Sequence, residues 1–131
     1  MEKRKHYLYC NIAGFMYWDG CEAFSELKVG RKLRLVREAA NKYDPEAVAI
    51  YYNDMKLGFV PRGDNEDLSK FLDMGHTDLF EVRVARICED AHPDKQVFVN
   101  IFIRQMVGLR RILTGVFGIM RMPKRETVSL W

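Results

Sequence analysis

The sequence predicts a mainly β fold. It reads as six short antiparallel strands in a closed or partly closed barrel, with one or two capping helices and a C-terminal extension. Three observations carry this expectation. Six stretches are rich in β-branched and aromatic residues or alternate polar with apolar side chains, the period of a half-buried strand. Most connections between them are of hairpin length, which favours antiparallel pairing over a parallel α/β sheet. Helical stripes are few and short before residue 105.

The first strand is expected over His6 to Phe15, followed by a turn at Tyr17-Trp18-Asp19-Gly20. Cys21 to Leu27 suits a short helical turn that brings Phe24 and Leu27 to the core. Lys32 to Glu38 alternates and makes the second strand, and Ala47 to Tyr52 the third. Asn53-Asp54 is a tight hairpin turn into a fourth strand ending at Val60, before Pro61. Asp64 is the expected N-cap of a helix whose apolar stripe is Leu68, Phe71 and Leu72, with Gly75 at its C-terminus. Phe80 to Ile87 and Gln96 to Arg104 are the last two strands. Residues 1–104 are thus read as the barrel domain and residues 105–131 as the extension. In that extension Met106, Leu109, Leu113 and Met120 fall at helical spacing, weakened by three glycines.

At 131 residues, 48% hydrophobic and 30% charged, the chain has the makeup of one globular domain. No apolar run approaches the roughly 20 residues needed to cross a bilayer, and the charged start has no signal-peptide core. The cytoplasm is the expected compartment, with no membrane partner. Cys10, Cys21 and Cys88 form no C-x-x-C pair, and the three histidines are scattered. Neither a metal centre nor a disulfide framework is signalled. The net charge is only +3, and residues 63–104 hold 5 Lys/Arg against 9 Asp/Glu. A protein coating long duplex would present a broad basic face, so any nucleic-acid site should be small and local.

The most informative stretch is Arg37-Glu38-Ala39-Ala40-Asn41-Lys42-Tyr43-Asp44-Pro45-Glu46-Ala47-Val48. It joins two strands yet holds a cation, an amide, an aromatic ring and a carboxylate within eight residues. As plain structure, Asn41 and Asp44 are turn formers and Tyr43 covers the barrel mouth. Together with Gly14-Phe15-Met16-Tyr17 before it and Gly58-Phe59-Val60-Pro61-Arg62 after it, this stretch resembles the HIRAN domain family. The three elements arrive in the family's order and span roughly residues 7–104. Met16 stands where DNA-binding members can carry arginine, and Ala39 replaces the usual proline.

Members of that family occur as N-terminal modules of Snf-type DNA-translocating ATPases that remodel stalled forks, and as small free-standing bacterial proteins. No phosphate-loop motif is present here, so the resemblance is to the free-standing kind. It implies an OB-like barrel that captures the 3′ end of single-stranded DNA in DNA repair or replication-fork processing, without catalysis or cofactor. By motif position, Tyr17 and Tyr43 would stack on bases and Asp44 would accept from the terminal 3′-hydroxyl. Asn41 would support the loop or bond the sugar-phosphate, and Arg62 with Arg37 would hold phosphates. Two other readings compete. Asp44 and Glu38 could serve a metal-dependent nuclease, though two carboxylates alone make a poor two-metal site. Residues 106–122 could form a contact surface for a second copy, with the pocket vestigial.

Overall fold

The computed structural model describes residues 3–105, of which Arg4–Arg104 form one compact unit. Its strands are β1 (Arg4–Asn11), β2 (Lys32–Arg37), β3 (Val48–Tyr52), β4 (Met55–Phe59), β5 (Phe80–Ile87) and β6 (Val97–Arg104). Two helices accompany them, α1 (Gly20–Ala23) and α2 (Glu66–Asp73). The expected helix in the extension and the expected contact surface at 106–122 lie outside the described residues.

All six strands belong to one antiparallel sheet, in the order β1-β6-β5-β2-β3-β4. Alternation in β5 and β6 puts Val82, Val84, Val97, Val99 and Ile101 into the core and their neighbours on the outer face. Phe15, Ile12, Ile50 and Leu57 complete the centre. The core is continuous through the curl of the sheet, as two faces of alternating strands require.

The expected mainly β fold of six antiparallel strands is present, but the strands do not close into a continuous barrel. β1 and β4 are edge strands, and they meet through one isolated antiparallel bridge between Ala13 and Phe59. The Ala13 amide donates to the Phe59 carbonyl at 2.8 Å, and the Phe59 amide donates back at 2.9 Å. Pairing stops there because the chain leaves the extended conformation at Gly14 and winds into a 3-10 turn over Phe15–Tyr17. The same turn explains why β1 ends at Asn11, short of Phe15.

Gly58 makes the bridge sterically feasible. A Cβ there would lie 2.4 Å from the Ala13 carbonyl oxygen, and its φ of +153° is one that side chains rarely adopt. The β3–β4 hairpin turns at Asn53-Asp54 as expected, with Asn53 left-handed at φ 54°. α2 begins one residue later than expected, after Asn65, whose side chain makes no cap hydrogen bond and instead donates to Asp44. Its end is a Schellman motif: the Gly75 amide donates to the Leu72 carbonyl and the His76 amide to that of Phe71.

Candidate nucleic-acid interface

The loop between β2 and β3 is wound on its own side chains. Asn41 Oδ1 accepts from the Tyr43 amide at 2.8 Å and the Asp44 amide at 3.0 Å, and Asp44 Oδ1 accepts from the Glu46 amide at 2.9 Å. These are the local bonds that favour Asn and Asp in turns. They leave the Tyr43 ring projecting outward, 83% exposed. From the other side Asn65, itself buried, donates to Asp44 Oδ2 at 2.8 Å. Arg62 donates to the Tyr43 carbonyl oxygen and lies 3.7 Å from Asp44 Oδ2.

This loop forms one wall of an open cleft of about 530 Å³. Asn41, Lys42, Tyr43, Asp44 and Arg62 line one side, with Ala13, Trp18, Phe59 and Val60 opposite. Lys56 lies between the walls. Its ammonium donates to Glu38 Oε2 at 2.6 Å and stands 3.8 Å from the centre of the Trp18 ring and 4.5 Å from that of Phe59. Trp18 and Phe59 meet edge to face at 5.9 Å, so the wall is a small aromatic corner capped by a cation. Glu38 also accepts from Asn41 Nδ2 at 3.1 Å, which links the aromatic corner to the loop.

Of the residues expected from sequence to act together, Asn41, Tyr43, Asp44 and Arg62 share the cleft. Tyr17 is 76% exposed on the 3-10 turn but is not among the lining residues; its neighbour Trp18 is. Arg37 does not line the cleft either. Its guanidinium donates to the Ala47 carbonyl at 3.0 Å, the Pro45 carbonyl at 2.7 Å and Asp73 Oδ1 at 2.8 Å, clamping the loop to α2. A lysine cannot satisfy that three-way fork. Arg37→Lys should lower stability by about 1–2 kcal/mol, read from urea unfolding midpoints. A change below a few tenths would contradict the clamp.

Sequence reasoning missed Trp18, Lys56 and Phe59 as cleft residues. Trp18 adjoins the quoted Gly14–Tyr17 motif and Phe59 lies within the quoted Gly58–Arg62 motif, whereas Lys56 carries no local signal. The β3–β4 pairing and the Ala13–Phe59 bridge bring it there.

Two carboxyls in the cleft are held below their ordinary range. Burial pushes Asp44 upward, but the Glu46 amide, the Asn65 amide group and the guanidiniums of Arg62 and Arg37 together outweigh it. Burial likewise pushes Glu38 upward, and hydrogen bonds from Lys56 and Asn41 with the Lys56 charge outweigh that. A carboxylate depressed on folding stabilises the native state above its unfolded pKa and loses that contribution as pH falls through its folded pKa. Stability should therefore be flat near neutrality and begin to fall below about pH 4.5, the ordinary value for Glu, as urea titrations across acidic pH would show. A fall already complete above pH 6 would contradict this account.

Glu38 and Asp44 are each committed to separate partners. Among the described residues no group of three or more His, Cys, Asp or Glu is placed to hold a metal ion, and no helix is long and apolar enough to cross a membrane. What the cleft offers is an exposed ring, an aromatic corner, an ionised carboxylate with lone pairs to spare, and flanking cations.

Two solved structures share this architecture. A crystallised protein from Lactobacillus plantarum is similar with a TM-score of 0.68 at 20% identity, over 80% of this chain and 99% of that one. The HIRAN domain of human HLTF is similar with a TM-score of 0.60 at 14% identity, over 91% of this chain and 93% of that one. No curated protein sequence matches significantly. The HIRAN domain family model matches residues 5–106, most of the length of the chain, and the protein therefore belongs to the HIRAN domain family.

Proposed function

We propose that this protein is a non-catalytic module that binds the 3′ end of single-stranded DNA in the cleft beside the β2–β3 loop. The observation that carries the reading is the pairing of a freely exposed Tyr43 ring with an ionised Asp44 in one cleft flanked by Lys42, Lys56 and Arg62. A base stacks on the tyrosine irrespective of its identity. A carboxylate repels a continuous phosphodiester but accepts a hydrogen bond from a free hydroxyl. The cations hold the adjoining phosphates, so the set selects an end over an internal stretch. Asn41 shapes the loop, and Arg37 acts by holding it in place. Tyr17 stands outside the cleft, where a strand leaving it could pass. With this activity we associate a role in DNA repair or replication-fork processing in the cytoplasm.

The test is fluorescence anisotropy with matched oligonucleotides ending in a 3′-hydroxyl or a 3′-phosphate. The wild-type chain should prefer the hydroxyl, and Asp44→Ala should lose most of that preference, a change of about tenfold for a charged hydrogen bond. Single strands that bind no better than blunt duplex would sink the proposal.

A further inference from the structure

Away from the cleft, the outer face of β1, β6 and β5 has an unusual composition for a sheet surface. β6 projects Phe98, Asn100 and Phe102 outward at every second position, while Val97, Val99 and Ile101 point into the core. The register sets these against Asn11, Tyr9 and His6 of β1 on one side and Arg86, Arg83 and Glu81 of β5 on the other. Tyr9 stacks on Phe98, with ring centres 5.3 Å apart and planes 12° apart, and remains 46% exposed. The Arg86 guanidinium lies 5.9 Å from the Phe98 ring, and that of Arg4 lies 3.9 Å above Phe102. Glu81 ties Arg4 and Arg83 together without neutralising both. A depression of about 380 Å³ opens between Arg4, Arg83, Asn100 and Phe102.

One chain segment links this face to the cleft, with the 3-10 turn Pro93–Lys95 held against it: Asn11 donates to the Asp94 carbonyl at 2.8 Å and the Gly14 amide to Asp94 Oδ1 at 3.0 Å. Cys10 and Ile12 are buried, so Tyr9, Asn11 and Ala13 alternate onto the outer side of the same chain segment, and Ala13 lines the cleft. Rings and guanidiniums interleaved on an open sheet are what stacked bases and their phosphates require. A carboxylate-bearing or apolar partner would leave either the rings or the cations unused.

We infer that the outer face of β1, β6 and β5 is a second binding surface, for the body of the single DNA strand whose end occupies the cleft. Tyr9 and the Arg4 guanidinium that lies over Phe102 are the stacking platforms, and Arg86 and Arg83 are the groups that hold phosphates. The inference rests on the end-binding reading for its starting point, but its measurement is separate.

Anisotropy on the full chain would compare two single strands with the same 3′ end, one of about 4 nucleotides and one of about 12. The longer strand should bind at least tenfold more tightly. Tyr9→Ala combined with Arg86→Ala should bring it to within about twofold of the shorter one, with affinity for the shorter unchanged. The salt dependence of the longer strand should flatten by about 0.7 in slope for each phosphate that the variant no longer neutralises. Arg86→Glu, at an exposed position, should act in the same direction without touching the core. Equal affinity for both lengths in wild type, or a length effect that neither variant alters, would overturn the inference and leave the cleft reading intact. A long-strand affinity that survives Tyr43→Ala but falls with the sheet-face variants would retain this surface and remove the cleft instead. If neither strand binds, both fail.

Discussion

Gly58→Ala should cost about 3–5 kcal/mol of folding stability, far more than alanine at most surface-accessible glycines. The new methyl would sit 2.4 Å from the Ala13 carbonyl oxygen and 2.7 Å from Ile12 Cγ2. Backbone strain at a positive φ contributes about 1–3 kcal/mol. Relieving the clash means giving up the two hydrogen bonds of the Ala13–Phe59 bridge, at about 1 kcal/mol each. Gly63 is the control: its φ is +94°, yet nothing lies within 4 Å of a built Cβ, so only the strain remains. Urea unfolding of both variants separates the two causes. A Gly58→Ala variant no less stable than Gly63→Ala would show that the close approach does not matter. Ala13 and Phe59 both line the cleft, so the same substitution should weaken ligand binding even where the fold survives.

Tyr43→Ala is the second large effect, and it should leave stability alone. The ring is 83% exposed, and the loop is held through the Tyr43 amide and carbonyl, which alanine keeps. Loss of a base-stacking ring removes about 1–3 kcal/mol of binding, or roughly tenfold or more in affinity. Tyr43→Phe should bind nearly as the wild type does. Anisotropy paired with thermal melting checks both halves. An unchanged affinity would mean that the ring stacks on nothing, and a lowered melting temperature would mean that it serves the fold.

Much of the fold was legible because alternation is a strong local signal. β5 matches its expected span of Phe80 to Ile87, and β6 starts within one residue of expectation. The hairpin at Asn53 and the Gly75 helix end were legible for a different reason, since each rests on a left-handed backbone conformation that few residues accept. Barrel closure was not. Whether the edges of a curled sheet pair depends on where β1 stops, and a single 3-10 turn at Phe15 decides that.

The candidate site divides along similar lines. Asn41, Tyr43 and Asp44 lie within one short loop, and local chemistry brings them together. Arg37 was expected beside a ligand, yet its three acceptors lie on the loop backbone and on α2, which no local pattern announces. Lys56 was invisible because its partners, Glu38, Trp18 and Phe59, are assembled only by strand pairing.

The pairing of β1 with β6 puts Arg4 opposite Arg104, so the first strand finds its neighbour only at the far end of the unit. During synthesis β1 must therefore wait with an unpaired edge until β6 has left the ribosome, and folding is governed by one late, long-range closure rather than by growth from the first strand. The segment from Ala13 to Trp18 hangs from that strand. A nascent chain stopped before β6 therefore carries the β2–β3 loop and the Phe59–Val60 part of the facing wall, with the Ala13 part held only by its bridge to Phe59 until the last strand arrives.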